Sequence, residues 1–471
     1  MLEKRIWLLK ASLTMSLIIL LLIPTMAYAN ENHEVTAASD YSLISCQVEN
    51  LMETQEDRIT VDSDTGLKRY EFSSQENYLL EIYGVKSGSI DFDRNSKTLT
   101  MKNVTMRGPQ CGISLGYISY NSLVPATLPE LDLTIRLVGN NKVIGLSETG
   151  AGMDFCHAAI YNVKLIGNGS LTMSGSEYDG VRISHGNITI DGPTITVETP
   201  AVGALIFNYS SNKIPEKRRK KLGQFTINSG KYIVKSPSNQ GFEAYSGKIA
   251  VCGGKISVSK SKGAGIDVQG DYSAIKVSGG KLTVSNDKYG GIICYGTITV
   301  TGGILTTNKS LKGNGITCSS SDERSSAILK VSGGKVNASG NHKSGIACDQ
   351  IIISKGNVIT GKNKNCGITN GGNYLSDTSQ YTRDDGTIVV GGKVAHSSCK
   401  ISVKGGTLKS RANKRIGLDC KTLRISKGII KVTNNRNIGI KCSKSLIKTG
   451  GSLIVKNNTK NDIVTVKKRI S

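Results

Sequence analysis

The side chains best suited to acid–base chemistry lie in one short stretch of the chain. Asp179, Arg182 and His185 fall together in the segment EYDGVRISHG at 177–186, and Asp154 and His157 precede them. Clustered carboxylates can hydrolyse glycosidic bonds, and a neighbouring basic residue can assist elimination, so Asp154, Asp179, Arg182 and His185 are the candidate catalytic residues. The segment also fits a structural repeat, in which Arg182 faces outward and His185 is an ordinary surface histidine.

Other signals of catalysis or metal binding are missing from the sequence. Paired aspartates followed by Gly-His-Gly do not occur, and the adjacent pair Asp384 and Asp385 lies in an insertion. Asp267, Asp287 and Asp349 are scattered and do not form the oxygen-rich cluster that a hard cation needs. The sequence therefore predicts no metal site.

A dense basic run suggests binding rather than chemistry. Lys217, Arg218, Arg219, Lys220 and Lys221 follow one another directly, and the whole chain has a formal net charge of +24. Outside the cell, such a charge favours acidic polymers or anionic surfaces. We predict that these five residues bind a polyanion. The alternatives are a solvated, protease-sensitive loop and a charge that serves solubility alone.

The cysteines follow a repeat rather than a disulfide framework. Five of the 11 occupy the same place, two residues after an aliphatic residue in a Gly-x-x-Cys phrase, and these are Cys294, Cys318, Cys348, Cys420 and Cys442. We expect all five to point inward as small hydrophobic side chains. Neighbouring strands lie about 4.8 Å apart, which also permits disulfides, so both redox states stay open.

An internal repeat must position all of these residues. Residues 275–284 read IKVSGGKLTV, and similar strand-Gly-Gly-strand phrases recur; the steps from Gly279 to Gly302 and from Gly405 to Lys427 are 23 and 22 residues. Alternation of aliphatic with polar residues predicts strands with one buried face. We predict an all-β fold, a single-stranded right-handed parallel β-helix with coils of about 22–24 residues and an irregular N-terminal cap. A β-sandwich is the alternative.

The organisation of the chain follows from this repeat. Lys4, Arg5 and Lys10, an apolar run at 13–23 and Ala27-Tyr28-Ala29 predict a signal peptide at 1–29. We expect a flexible leader or N-terminal cap at 30–75, the β-helix at 76–460 and a basic tail at 461–471. Insertions are predicted near 208–222, 319–326 and 370–386. The expected protein is secreted or loosely attached to the cell surface, and monomeric.

Three stretches carry a resemblance to a known family. Residues 96–104, 133–141 and 165–173, together with the strand-Gly-Gly-strand units, resemble the pectate-lyase-like right-handed β-helix superfamily. Within it the chain is similar to the secreted bacterial proteins named carbohydrate-binding domain-containing proteins, over about residues 85–460. The resemblance implies noncatalytic polysaccharide binding, with calcium on Asp-rich turns in relatives. In this chain the turns carry Lys where relatives often carry Asp, as in Lys260-Ser261-Lys262 and Lys362-Asn363-Lys364. We therefore expect no bound calcium and no other cofactor.

These observations predict a carbohydrate-binding protein for an acidic polysaccharide or a cell-envelope polyanion, without nucleic acid as its partner. One alternative is a polysaccharide lyase or glycoside hydrolase of the same fold, for which a carboxylate cluster in the folded groove would argue. The other is a structural adhesin or spacer. Stacking of neutral sugars on tryptophan is excluded after signal cleavage, because the one tryptophan of the chain is Trp7.

Overall fold

The structure is a computed structural model. It describes residues 58–73, 78–109, 112–117, 128–147, 150–156, 159–208, 214–320, 327–371, 380–382, 388–390 and 399–470. The predicted signal peptide, most of the predicted leader, His157, Asp384 and Asp385 lie outside these residues, as do large parts of the insertions near 319–326 and 370–386. The solenoid belongs to one compact unit, Glu56–Tyr381 with Val389–Ser471, and most of a second unit lies outside the described residues.

Antiparallel strands open the described chain. They are Arg58–Val61 (β1), Lys68–Ser73 (β2), Tyr78–Asp93 (β3), Thr98–Arg107 (β4) and Gly112–Tyr117 (β5). β1 pairs with β2, β2 with β3, and β3 with both β4 and β5, all antiparallel. β4 and β5 then pair in parallel with later strands, which starts the solenoid. An irregular N-terminal region thus precedes the regular coils.

The regular coils are short strands separated by tight turns. They are Glu130–Val138 (β6), Asn140–Leu146 (β7), Ala151–Phe155 (β8), Ile160–Ile166 (β9), Ser170–Gly175 (β10), Asp179–Ser184 (β11), Asn187–Asp191 (β12), Thr194–Glu198 (β13), Val202–Phe207 (β14), Gln224–Ile227 (β15), Lys231–Lys235 (β16), Phe242–Tyr245 (β17), Lys248–Val251 (β18), Lys255–Ser259 (β19), Ala264–Gln269 (β20), Ala274–Val277 (β21), Lys281–Ser285 (β22), Gly290–Cys294 (β23), Thr297–Val300 (β24), Ile304–Asn308 (β25), Ile316–Cys318 (β26), Ile328–Ser339 (β27), Ile346–Cys348 (β28), Gln350–Gly361 (β29) and Ile368–Thr369 (β30). A short helix, Glu216–Arg219 (α1), lies between β14 and β15.

The remaining strands complete the chain. They are Gln380–Thr382 (β31), Ile388–Val390 (β32), Lys400–Arg411 (β33), Leu418–Thr433 (β34), Ile438–Lys448 (β35), Ser452–Lys456 (β36) and Asn461–Ile470 (β37). β31 and β32 form a separate two-stranded sheet. β37 pairs in parallel with β35, so the segment predicted as a basic tail carries a strand of the solenoid.

Every third strand pairs in parallel, which defines three faces. The first face contains β6, β9, β12, β15, β18, β21 and β24; the second contains β7, β10, β13, β16, β19, β22 and β25; the third contains β5, β8, β11, β14, β17, β20, β23, β26, β28 and β30. β27, β29 and β33 are long strands that bend across the corner between the first and second faces. β34 begins on the third face and continues onto the first and second. The predicted parallel β-helix is confirmed.

Inward side chains of all three faces fill one continuous core. Phe225, Tyr232 and Phe242 come from the first, second and third faces of one coil, and their ring centroids lie 4.9–5.3 Å apart. Most other coils are filled by aliphatic residues that are fully buried. Burial of each such side chain stabilises the fold by about 1.5–3 kcal/mol before entropy is counted. The alternation read from the sequence therefore separates core from solvent.

The turns between the second and third faces repeat almost identically. Each begins with a left-handed residue, such as Lys362 or Asn434, at φ 56° and 59°. In the later coils the next residue is asparagine: Asn341, Asn363, Asn413 and Asn435, which are buried, and Asn458, which is half-buried. The backbone N–H and the Nδ2 of Asn363 both donate to Asn413 Oδ1, at 3.2 and 2.9 Å. This column of side-chain hydrogen bonds fixes the turns above one another.

The five predicted inward cysteines are buried on the third face. Cys294, Cys318 and Cys348 lie in register on successive strands, and Cys420 lies opposite Cys442. The Cys420 and Cys442 Sγ atoms are 3.4 Å apart, and both cysteines are free thiols. Burial raises the pKa of Cys294 to about 12, as expected of a packing side chain.

Candidate functional site

Three of the four candidate catalytic residues meet on the third face. Arg182 on β11 contacts Asp154 on β8 at 3.5 Å and Asp179 on its own strand at 3.2 Å. Burial raises the pKa of Asp179, whereas Arg182 opposes that shift. The guanidinium therefore pairs with both carboxylates and holds two coils together. His185 lies beyond the end of β11, where burial lowers its pKa and Asn208 and Arg219 are its polar neighbours.

A second carboxylate pair lies further along the same face. Glu243 on β17 and Asp267 on β20 are register neighbours. Tyr245 donates its hydroxyl proton to Glu243 Oε1 at 2.5 Å, and Gln269 Nε2 donates to Asp267 at 3.0 Å. Burial, with the neighbouring Glu243, raises the pKa of Asp267 to about 7. Asp267 is only 8% exposed, so little of its carboxyl group is available to a substrate.

The linear sequence predicts Asp267 as an isolated carboxylate and gives no prominence to Glu243. The signal was present, because each carboxylate lies two residues after a glycine of the repeat, Gly241 and Gly265. Aligning the coils on these glycines would have placed the two residues side by side. Scanning the linear sequence for adjacent acidic residues could not find them.

The predicted polyanion-binding run is not a loose loop. Ile214 and Leu222 pack with Leu128 and Ile160 in a small apolar cluster that anchors the insertion. Asn208 is fully buried, and its Nδ2 donates to the carbonyl oxygens of Arg219 and Ser246, at 3.0 and 3.2 Å. The described part of the insertion is therefore held against the solenoid.

Most of the basic residues in the insertion have partners within it or next to it. Arg218 forms an ion pair with Glu130 on β6, and Lys220 pairs with Glu216 at 2.6 Å. The Arg219 guanidinium lies 5.7 Å from the Tyr272 ring centroid. Within the described residues, the side chains of Lys217 and Lys221 have no ion-pair or hydrogen-bond partner. The structure thus divides the five predicted residues into three anchors and two free cations.

Lys221 borders a polar cleft on the first face. The cleft encloses about 490 Å³ and is lined by Asn162, Val163, Lys164, Asn187, Thr189, Lys221, Gln224, Thr226 and Asn228. Its floor is formed by the adjacent strands β9, β12 and β15. The lining contains amides, hydroxyls and two ammonium groups, and it contains neither a carboxylate nor an aromatic ring.

Cations also line the edge where the second face turns into the third. We call Lys262, Lys288, Lys312, Lys364, Lys414, Arg436 and Lys460 the basic edge; they occupy stacked turns and are exposed or half-exposed. Backbone bonds fix the stacking, as in Lys364 N–H to Asn341 O and Arg436 N–H to Asn413 O, both 2.9 Å. The turn between Lys312 and Lys364 carries His342, whose Nδ1 lies 3.3 Å from Lys364 Nζ.

Little on this edge balances its charge. Within the described residues, the ion pairs found do not involve the basic edge. The Lys288 and Lys312 ammonium groups instead lie 4.9 and 6.0 Å from the exposed Tyr289 ring centroid. Two like charges 4 Å apart repel by about 1 kcal/mol even in bulk water, so a row of cations at strand spacing attracts anions strongly.

In the described ranges, no group of three or more His, Cys, Asp or Glu side chains is arranged to hold a metal ion. The same part of the chain contains no helix long and apolar enough to cross a membrane.

Comparisons of the chain with protein-family models, with curated proteins and with solved structures give no match. The comparisons therefore give no support to any particular family. The many parallel strands in three repeating faces show a parallel β-helix and no more.

Proposed function

We propose that this protein is an exported, noncatalytic binding protein for an acidic polysaccharide or another linear polyanion. The basic edge carries the proposal. It presents cations on stacked turns from residue 262 to residue 460, with one strand spacing between successive turns. An anionic polymer lying along the solenoid axis would meet a positive charge at nearly every coil.

The chemistry of the edge explains why the interaction would be multivalent rather than enzymatic. Each exposed ammonium group contributes little alone because water screens it. Many such contacts along one polymer add up, since each bound segment keeps the next one close. The signal peptide predicted at 1–29 is consistent with a polysaccharide ligand, because acidic polysaccharides are abundant outside the cell.

Salt dependence tests this proposal. We expect the protein to be retarded in native gels that contain polygalacturonate and to migrate normally in gels that contain uncharged dextran. Retardation should fade between about 0.05 and 0.5 M salt, because the Debye length falls from more than 10 Å to only a few ångströms over this range. Equal retardation by both polymers, or retardation that resists salt, would contradict the proposal.

A further inference from the structure

We propose that Cys420 and Cys442 are a modification site, a thiol pair that a peroxide oxidises to a disulfide between two neighbouring coils. The two residues are buried free thiols and register neighbours on β34 and β35. Their Sγ atoms lie 3.4 Å apart. Neither residue belongs to the basic edge, so this site and the polyanion-binding proposal can be tested separately.

The backbone at this pair already has the spacing that a disulfide requires. Adjacent strands lie about 4.8 Å apart, and the Cα atoms of bonded cysteines are usually about 4.4–6.8 Å apart. The sulfur atoms need to approach from 3.4 Å to an S–S bond length of about 2.05 Å. Small rotations about the two Cα–Cβ bonds supply this approach, so neither coil has to move against the other.

Another stacked pair holds its thiols differently. Cys318 and Cys348 are also register neighbours, on β26 and β28. Cys318 Sγ donates to the carbonyl oxygen of Gly296 at 3.5 Å, and Cys348 Sγ donates to that of Gln350 at 3.0 Å. The Cys420 thiol instead faces the sulfur atom of its partner. Orientation therefore favours oxidation of the later pair.

The two sulfur atoms of the proposed pair differ in acidity. The hydrogen bond from Cys420 lowers the pKa of Cys442, whereas the same bond, followed by burial, raises the pKa of Cys420. The thiolate is the form of cysteine that attacks an oxidant. Cys442 is therefore the attacking sulfur, and Cys420 is the sulfur that completes the disulfide.

Access from solvent also favours this pair. β37 stacks on β35 with Thr465 in register with Cys442, and most side chains of β37 are exposed. Cys318 lies between β23 and β28, whose side chains are mostly buried. Local opening of a strand with few buried contacts costs less free energy than separation of buried coils. A molecule as small as a peroxide therefore reaches Cys442 before it reaches Cys318.

The oxidation balances with one peroxide molecule. The Cys442 thiolate attacks one peroxide oxygen, the O–O bond breaks, and the departing hydroxide takes up a proton to become water. This step leaves a sulfenic acid on Cys442. The Cys420 sulfur then attacks the sulfenic sulfur, so that an S–S bond forms, the S–O bond breaks, and the oxygen leaves as water with the Cys420 proton. Two thiols are oxidised, and one peroxide is reduced to two waters.

The disulfide would close a ring of the chain from residue 420 to residue 442. This ring contains the turn that carries Asn435 and Arg436, the latter a member of the basic edge. A cross-link reduces the freedom of the unfolded chain and so stabilises the folded coil. Oxidation would therefore fasten one of the coils that present the edge.

Peptide mapping by mass spectrometry tests the pair. The protein is treated with hydrogen peroxide, its remaining thiols are alkylated, and it is digested without reduction. We expect a linked peptide containing Cys420 and Cys442, lighter by two hydrogen atoms than the two reduced peptides together. A link between Cys318 and Cys348 should be at most about one tenth as abundant, because its coils open less often. Dithiothreitol should restore the reduced peptides.

Alanine variants assign the two roles. In Cys420→Ala the sulfenic acid on Cys442 has no partner thiol, so dimedone, which labels sulfenic acids, should label Cys442. In Cys442→Ala we expect neither the link nor a label on Cys420. Cys294→Ala is the matched control, because Cys294 is a buried cysteine of the same face in a distant coil and should leave the link unchanged.

Three outcomes would overturn the inference. The first is a folded wild-type protein in which Cys420 and Cys442 stay reduced while peroxide oxidises the exposed Cys252. The second is a link between Cys318 and Cys348 that is equally abundant. The third is dimedone labelling of Cys420 in place of Cys442, which would contradict the assigned roles. The map of the wild-type protein decides the first two even where a variant fails to fold.

Discussion

At the scale of single residues, the clearest feature is an acidic residue in a column of turn residues that are otherwise serine or asparagine from Ser261 onward. Asp287 occupies the turn position that Asn341, Asn363 and Asn413 take in later coils, and it is 1% exposed. Its Oδ1 accepts the Ser261 N–H at 3.0 Å, while Oδ2 has no hydrogen-bond partner within the described residues. Burial raises the pKa of Asp287 to about 7.

This shift predicts a pH-dependent effect of Asp287→Asn. The folded protein binds the carboxyl proton more tightly than the unfolded chain, whose pKa is about 3.9, so the contribution to stability is present below pH 4 and lost as the pH rises through 7. Asparagine cannot ionise. We expect Asp287→Asn to be more stabilising, relative to wild type, at pH 8 than at pH 5 by about 2 kcal/mol.

Urea unfolding followed by circular dichroism at both pH values measures this difference. The comparison isolates Asp287 because Asp267, whose pKa is also raised, is present in both proteins. A stability difference between variant and wild type that is the same at pH 5 and pH 8 would contradict the prediction.

The sequence predicted which side chains face the core but did not predict which side chains meet across coils. The period-2 alternation predicted which residues point inward, and the five cysteines were placed correctly. Contacts across coils were harder to predict, because Arg218 and Glu130 are neighbours only after several coils have stacked. The same limit hid the partnership of Glu243 with Asp267.

At the scale of elements, glycine at the start of the third-face strands permits the coils to stack. A Cβ atom added to Gly203 would lie 2.4 Å from Gly241 O in the next coil and 2.5 Å from a Val234 methyl group. Because the carbonyl oxygen belongs to the backbone, it cannot move without disturbing the adjacent coil. The repeated glycine is therefore required by packing.

Substitution of this glycine tests that requirement. We expect Gly203→Ala to destabilise the protein by about 2 kcal/mol, the usual scale for overpacking. Gly340→Asn is the control: Gly340 has φ +74° with open space beside it, and Asn434 takes the same turn position at φ 59°. The free energy of unfolding should change little in the control. A Gly203→Ala protein as stable as wild type would refute the packing argument.

The basic insertion illustrates what the sequence alone could predict of an element. The high density of positive charge marked residues 217–221 as unusual. The run of charges alone does not show which side chains of the solenoid these residues contact. The apolar cluster of Leu128, Ile160, Ile214 and Leu222 joins residues separated widely in the chain. Only the stacked coils bring them together, so an anchored wall could not be distinguished from a solvated loop.

At the scale of the whole solenoid unit, β37 carries a charge where the preceding coil carries a core residue. Lys468 on β37 lies opposite Leu446, a core residue of the previous coil, and Lys467 and Arg469 flank it. Burial of an unpaired ammonium group is costly, and the Lys468 side chain is exposed.

The distribution of charge along the solenoid leads to the central claim. Lysines are stacked along the basic edge and also on the second face, where Lys231, Lys255 and Lys281 are register neighbours. The edge continues over many more coils and lies beside little opposite charge. We therefore expect the edge to dominate polyanion binding, although both rows carry similar charge locally.

The most direct measurement compares two triple variants of equal net charge for affinity to polygalacturonate at 0.1 M salt. One removes edge cations, Lys364→Gln, Lys414→Gln and Arg436→Gln; the other removes the second-face row, Lys231→Gln, Lys255→Gln and Lys281→Gln. We predict that the edge variant binds at least about tenfold more weakly than the second-face variant, which should stay close to wild type. Equal losses in both variants would mean that net charge alone drives binding and would contradict the assignment of the edge.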